Sequence, residues 1–351
     1  CTMQKLMVLA AVGVFQTAVA FAPGGWLDKQ PLRAPKLRRQ TRSGASVLCA
    51  QIKFADAVEE VLVRKWDKKQ VSRVVKSWRR MDEDYIHKEF KKEHDTWQEC
   101  NSFVEGLPCK TFHDPYEFDW AQKLRDNAKT IQDEFTRVAI EGSDELDKKG
   151  NNVWATAANA TSAQSYGPDW KTLALMDRCV WDPVNVDLFP ETTRLLRELE
   201  VPCLEAFFAR MQPESKIAPH SDYCNFALTA HLGLVVPEQE CWIKVGKDTR
   251  EWRNGEMLMF DTSLLHEAAN EAETVRYILM LRVWHPALAQ PEVEAIKYIF
   301  SSLDEPSIVE GDLRALAPNL FAPQQQPTGG SDWAAKPASL NFGPMEGGLK
   351  E

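Results

Sequence analysis

No C-x-x-C pair and no other paired spacing occurs among the eight cysteines, at positions 1, 49, 100, 109, 179, 203, 224 and 241. That absence excludes a zinc knuckle and a disulfide framework and reads as reduced, buried thiols. Basic residues are in deficit: 42 Lys and Arg stand against 51 Asp and Glu, for a net charge of −9. Residues 1–50 hold seven basic side chains and one acid, so the chain beyond them is more acidic still. Nucleic acid is excluded as a partner, because phosphate binding needs a clustered basic face. Long hydrophobic runs are missing too. Leu6 to Phe15 is short and stops at Gln16-Thr17, which leaves no stable membrane span in a mature chain. No internal repeat is visible. What is there is 351 residues, 44% of them hydrophobic, enough for one large folded domain or two modest ones.

The N-terminus reads as an address. Met3-Gln4-Lys5, the apolar run and Ala18-Val19-Ala20 have the form of a signal peptide over residues 1–20. Phe21-Ala22-Pro23-Gly24 then opens a basic, Ser-containing, acid-poor segment over 21–50 with the composition of a transit peptide. Together they resemble two-part plastid-targeting leaders, which implies delivery to a plastid via the secretory route. The alternative is the endoplasmic reticulum or secretory pathway, with an uncleaved signal as anchor.

Residues 51–105 are expected to form a charged helical region. Phe54, Val58, Val61, Leu62, Trp66, Val71, Val74, Val75 and Trp78 recur at helical spacing. Packing of these helices on their own domain is favoured over a partner-binding or coiled-coil arm. A helix is expected over Glu117–Val138 and a short one from Pro190 to Leu199. From Cys203 the period changes to two: Leu228, Ala230, Leu232 and Leu234 alternate with other residues, and β-rich runs follow at 242–245, 256–260 and 275–283. Asn254-Gly255 predicts a hairpin turn. Several short strands in about 80 residues indicate a jelly roll or barrel. A short helix at 293–300 and a mobile tail rich in Pro, Gln and Gly complete residues 291–351.

Four of the seven histidines fall between 220 and 285. His220-Ser221-Asp222 is H-x-D, and two residues apart on an extended strand the side chains point the same way. His266 follows 46 residues later at the end of another predicted strand. Two imidazoles and one carboxylate on one face suit non-haem Fe(II) and oxygen chemistry. Arg276 stands ten residues beyond His266 on the next run. Fe(II) with one Asp ligand and a bound 2-oxoglutarate dianion is net negative, so a two-pronged cation is wanted for the distal carboxylate. The competing reading of Arg276 is a surface strand residue, as for Arg282. His266-Glu267-Ala268-Ala269-Asn270 begins like a zinc-protease motif, but the fifth position is Asn270 and the segment lies among strands. His231 taken alone reads as a core histidine, His285 as the fixed end of the last strand, and the Trp residues as packing.

Pro219-His220, His231-Leu232-Gly233-Leu234, Trp252-x-x-Gly255, Phe260-Asp261-x-Ser263-x-x-His266-Glu267, Asn270, Arg276 and Val283-Trp284-His285-Pro286 together resemble the aspartyl/asparaginyl β-hydroxylase family of Fe(II)/2-oxoglutarate dioxygenases. Trp120, Trp170-Lys171, Leu173 and Phe189-Pro190-x-Thr192 look like its helical front end. The resemblance spans about 108–290 and implies a dioxygenase domain over 106–290 with a β core near 203–286. The implied fold class is mainly β: a double-stranded β-helix (jelly roll, cupin-like) preceded by an α-helical N-terminal region.

It also implies iron on His220 and His266, with Arg276 and His231 contacting the cosubstrate. Asp222 stands where animal members have Gly, as in bacterial lipid-modifying relatives, so a three-residue ligand set of His220, Asp222 and His266 is expected. Thr229 and Ala209 stand where animal members have Arg and Ser. The expected cofactors are Fe(II), with 2-oxoglutarate as cosubstrate and O2. The expected substrate is the β-carbon of Asp or Asn in a protein or peptide, the alternatives being a lipid or small metabolite, or a non-catalytic metal-binding module.

Overall fold

The computed structural model describes residues 52–156 and 165–321. The expected leader (1–50) and the Pro/Gln/Gly-rich tail lie outside the described residues. Two helices come first, α1 (Phe54–Lys65) and α2 (Ser72–Asp82), then strands β1 (His87–Lys91), β2 (Thr96–Ser102) and β3 (Phe112–His113). Helices α3 (Asp119–Asp126), α4 (Ala128–Phe135) and α5 (Ser143–Lys149) follow, then β4 (Trp170–Asp177), β5 (Val180–Trp181) and α6 (Pro190–Glu198). The β core holds β6 (Cys203–Met211), β7 (Ser215–His220), β8 (Tyr223–Cys224), β9 (Ala227–Val235), β10 (Cys241–Val245), β11 (Asp248–Glu251), β12 (Met257–Phe260), β13 (His266–Asn270) and β14 (Arg276–Trp284). Helices α7 (Gln290–Asp304) and α8 (Ser307–Leu316) and a 3-10 turn at Pro318–Phe321 close the described chain.

Two sheets make the core. One contains β12-β9-β14-β6 in that order, widened by β3 on one side and β4-β5 on the other; the second is β11-β10-β13-β7. Apart from the β10–β11 hairpin and the two-residue β8, the chain passes from one sheet to the other at each step between β6 and β14. Antiparallel pairing with that alternation is a double-stranded β-helix, a jelly roll closed around its own interior. β9 and β14 are buried along nearly their whole length. One face of each lines the barrel and the other lies under helices, so period-2 patterning is blurred there. β7, with one wet face, alternates more openly.

The helical front end packs on the outside of the larger sheet. Asn127 ends α3, its side-chain amide donating to the Lys123 carbonyl at 2.8 Å. The single predicted helix over 117–138 is therefore two helices with a break, followed by a π-helical turn at Thr136–Glu141. Phe135 of α4 packs against Phe208 of β6 at 4.8 Å between ring centroids. The neighbouring Glu134 is buried and serves α6: its carboxylate accepts from the Glu191 and Thr192 N–H groups at 2.8 Å and from the Thr192 hydroxyl at 2.7 Å. Those donors belong to the first turn of α6, where no intrahelical acceptor exists. Glu134→Ala is expected to lower stability by about 2–4 kcal/mol, because it orphans buried donors; urea unfolding measures the loss.

The N- and C-terminal helices meet. Val58, Val61 and Leu62 of α1 and Val74 and Trp78 of α2 share one apolar cluster with Phe226, Trp284, Ile296, Ile299, Phe300, Val309 and Leu313. The Arg73 guanidinium forks onto Glu292 of α7 at 2.6 and 2.7 Å. The predicted amphipathic helices thus pack on their own domain.

Three expectations change. Residues 51–105 are helical only to Asp82; His87 to Ser102 is a β hairpin, whose second strand pairs in parallel with β8. The helix expected at 293–300 runs from Gln290 to Asp304, and α8 extends order to where a tail was expected. Asn254-Gly255 does not close a hairpin, since β11 pairs with β10 and β12 with β9. It carries the chain between sheets. Gly255 adopts φ +77°, and its N–H donates to the Gly233 carbonyl at 2.9 Å. A Cβ on Gly233 would sit 2.2 Å from the Arg253 carbonyl oxygen, so this close crossing needs glycine.

Candidate metal centre

His220 ends β7 and His266 begins β13, and the two strands are antiparallel neighbours with these residues opposite each other. Their ring centroids are 4.2 Å apart. One ligand atom from each of His220, Asp222 and His266 lies within 4.8 Å of the others. Each imidazole is oriented from behind: His220 Nδ1 bonds the Ala218 carbonyl at 2.8 Å and His266 Nδ1 the Leu264 carbonyl at 2.9 Å. Donation by Nδ1–H leaves the Nε2 lone pairs free for a metal. Nε2 of His220 is buried without a hydrogen-bond partner and lies 3.7 Å from Asp222 Oδ1. A buried acceptor without a donor, beside a second imidazole and a carboxylate, fits a cation with nitrogen and oxygen ligands.

Asp222 reaches this point differently from the sequence expectation. Strand β7 stops at His220, and Asp222 lies in the short link to β8 rather than on one extended strand. Its N–H donates to the Thr262 carbonyl at 2.8 Å, and the Ser221 hydroxyl to the Glu99 carbonyl at 2.6 Å. The carboxylate accepts from the Tyr166 hydroxyl at 2.8 Å on Oδ1 and from Arg282 at 3.0 Å on Oδ2. Arg282, read from sequence as a surface strand residue, is 1% exposed. Burial opposes ionisation of Asp222, but Arg282, with His266 and His220, holds the carboxyl below the usual carboxylate range. Burial, then His220, takes His266 down to about 4, so the imidazole is neutral and able to ligate. Glu205, 3.6 Å from Arg282 on the other side, is pushed up to about 8 by burial. Of the two acids flanking Arg282, Asp222 is therefore the one whose negative charge is favoured.

Arg276 begins β14 and is 1% exposed. Its guanidinium lies over the Trp252 ring, 4.5 Å from the centroid. Among the described residues no carboxylate pairs with it, and its Nε has no hydrogen-bond partner. Burial lowers it to about 10, which leaves it charged at neutral pH. His231 sits behind: Trp252 Nε1–H donates to its Nδ1 at 3.2 Å, while its Nε2 is buried and unpartnered. It is thus not a core histidine satisfied by a backbone carbonyl. His220, Asp222, His231, His266 and Arg276 line one cavity, with Ile217, Ile243, Phe260 and Met280 as its apolar walls.

Tyr166 and Trp252 belong to the same cavity. Tyr166 carried no signal, being a single residue 56 positions from its partner Asp222. Trp252 stood inside the quoted motif but read as packing. Thr229 is buried, its hydroxyl 3.2 Å from that of Thr262. His285 binds the Pro108 carbonyl at 3.1 Å, outside the site. Asn270 ties down the turn into β14 through the Met211, Gln212 and Thr274 carbonyls, on a strand rather than a helix, which removes the zinc-protease reading.

A double-stranded β-helix holding two imidazoles and a carboxylate in one pocket defines a class, the non-haem metal proteins, and its donor set fits Fe(II). Residues 125–286 match the family described as aspartyl/asparaginyl beta-hydroxylase. The aspartyl/asparaginyl beta-hydroxylase of Homo sapiens is 26% identical over 217 residues, covering 58% of this chain and 26% of that protein. Aspartate beta-hydroxylase domain-containing protein 2 of Xenopus tropicalis is 30% identical over 209 residues, covering 57% and 54%. The ornithine lipid ester-linked acyl 2-hydroxylase of Rhizobium tropici is 27% identical over 172 residues, covering 48% and 58%. Over residues 125–286 the chain is therefore similar to the aspartyl/asparaginyl β-hydroxylase family. It spans about a quarter of the human relative's length and about half of the Xenopus one's. Among the described residues no helix is long and apolar enough to cross a membrane.

Proposed function

We propose that the protein is an Fe(II)- and 2-oxoglutarate-dependent dioxygenase that hydroxylates an unactivated C–H bond. The observation that carries this reading is Arg276, a buried guanidinium without a counter-ion among the described residues, facing the same cavity as His220, Asp222 and His266. An unpaired charge in such a place costs several kcal/mol unless an anion arrives to meet it. A dicarboxylate with one end on the metal and the other on Arg276 satisfies both halves of the pocket.

His220, Asp222 and His266 would hold the iron, and Arg276 and His231 would contact the cosubstrate. Fe(II), once loaded with 2-oxoglutarate and O2, supplies the oxidising chemistry that turns C–H into C–OH with release of succinate and CO2. The chain's own contribution is positional. The carbonyls of Ala218 and Leu264 fix the two imidazoles, Trp252 steers His231 and lies against Arg276, and Ile217, Ile243, Phe260 and Met280 exclude water from the walls.

The substrate proposed is the β-carbon of Asp or Asn in a protein, in keeping with the printed names of the human and Xenopus relatives. A second reading, a lipid substrate, is favoured by Asp222 together with the Rhizobium relative named as an acyl hydroxylase. Delivery to a plastid via the secretory route remains the proposal for residues 1–50. The test is incubation of the purified chain with Fe(II), 2-oxoglutarate and O2 against peptide and lipid pools, read by mass spectrometry for a gain of one oxygen atom. Oxygen gain at Asp or Asn in peptides is expected, and gain confined to lipids selects the second reading. Metal binding without any response to 2-oxoglutarate overturns both and leaves a non-catalytic metal-binding module.

A further inference from the structure

Strand β14 carries two buried arginines. Residues 276, 278, 280 and 282 alternate onto one face of the strand, and Arg276 and Met280 of that set line the metal cavity. Arg282 lies six residues beyond Arg276, is as deeply buried, and meets Asp222 instead of lining the cavity. A long cation in the middle of the larger sheet is costly where an aliphatic side chain would pack. Its partners show what it does there. One terminal nitrogen bonds Asp222 Oδ2 at 3.0 Å, the other lies 3.0 Å from Cys224 Sγ, and Nε is 3.6 Å from Glu205 Oε2. Glu205 stands opposite Arg282 across the β14–β6 pairing, so the guanidinium is braced by its own sheet. Asp222 sits beyond the end of β7 in the link to β8, where its N–H bonds the Thr262 carbonyl and the Tyr166 hydroxyl bonds Oδ1, so that Arg282 is the partner of Oδ2.

We infer that Arg282 is the positioning residue of the metal site, holding Oδ2 of Asp222 so that Oδ1 alone is offered beside the two imidazoles. Without Arg282 only the Tyr166 hydroxyl would restrain this carboxylate, at Oδ1, and Oδ2 would be free to turn toward a cation as well. With Oδ2 held by the guanidinium, Oδ1 is the oxygen 3.7 Å from His220 Nε2. Presenting one oxygen rather than two keeps a coordination position open for other ligands. Arg does this where Lys would not, because its planar fork fixes direction as well as charge. The inference rests on the metal-site reading of His220, Asp222 and His266 and adds the group that sets their geometry.

Titration of the full chain with Co(II), followed by its visible absorption and by thermal unfolding, separates the two. The native chain is expected to bind Co(II). Failure to bind overturns the metal-site reading and this inference with it. Given native binding, Arg282→Met is expected to weaken Co(II) affinity about 10- to 100-fold and to change the absorption spectrum. Arg282→Lys, which keeps the charge without the fork, is expected to show an intermediate loss and the same spectral change. It carries the test if Arg282→Met does not fold. In an Asp222→Gly background, replacing Arg282 is expected to have no further effect on affinity, because the arginine acts through that carboxylate. A folded Arg282 variant with native affinity and spectrum, whatever its melting temperature, overturns the inference. So does an undiminished loss in the Asp222→Gly background.

Discussion

Replacing His266 by alanine is expected to abolish 2-oxoglutarate consumption and to weaken metal binding by more than about 100-fold. That bound follows because removing a group that merely orients a ligand already costs 10- to 100-fold. The effect should be confined to the site. His266 makes its Nδ1 bond to the Leu264 carbonyl within its own loop, and β13 is held by backbone pairing to β10 and β7. The circular dichroism of the variant should therefore match the native chain while succinate release falls below detection. Undiminished turnover in a folded His266→Ala protein would remove His266 from the ligand set and the oxygenase proposal with it.

The second large effect is expected at Arg276, and it has two opposite signs. Arg276→Met should raise the KM for 2-oxoglutarate by roughly 30- to 1,000-fold, the equivalent of about 2–4 kcal/mol for losing one partner of a buried charge pair. Co(II) affinity should stay within a few-fold of native, since Arg276 is not among the clustered ligand residues. The ligand-free protein should become more stable. A buried guanidinium without a carboxylate costs several kcal/mol, and its contact with Trp252 returns only about 2. A rise in melting temperature without cosubstrate, paired with a loss of cosubstrate-dependent stabilisation, is the expected signature. A fall in melting temperature together with an unchanged KM would show that Arg276 is a packing residue.

The parts of the site that could be read from sequence are those whose information is local. His220 and Asp222 are two residues apart, and His266 and Arg276 sit on short β runs whose order and spacing repeat a family pattern. The strands of the β core are legible as short β-rich runs; in β9, buried on both faces, the alternation is one of residue type, Leu228, Ala230, Leu232 and Leu234 against Thr229, His231 and Gly233. What could not be read depends on contacts between distant segments. Arg282 looks like an exposed strand residue until β14 is placed between β6 and β9, which puts its head 60 positions away on Asp222. Tyr166 is equally invisible. The hairpin at 87–102 is not legible because β1 is charged and largely exposed, while the buried positions of β2 (Thr96, Gln98 and Cys100) are mostly polar, so neither strand shows an apolar period. Asn254-Gly255 marks a tight turn in which Gly255 alone adopts positive φ, and such a turn does not say which sheet the next strand will join.

The convergence of α1, α2, α7 and α8 around Phe226 and Trp284 bears on where the catalytic unit ends. The stretch shared with the family stops at residue 286 and starts at 125, yet the aromatic pair at its base is roofed by side chains from both flanks. Cutting at the family borders would strip that roof and bare a greasy underside, whereas residues 52–321 carry it intact. The flanking helices thus act as a keystone, locking the two ends of the described residues, 52 and 321, against the domain they support.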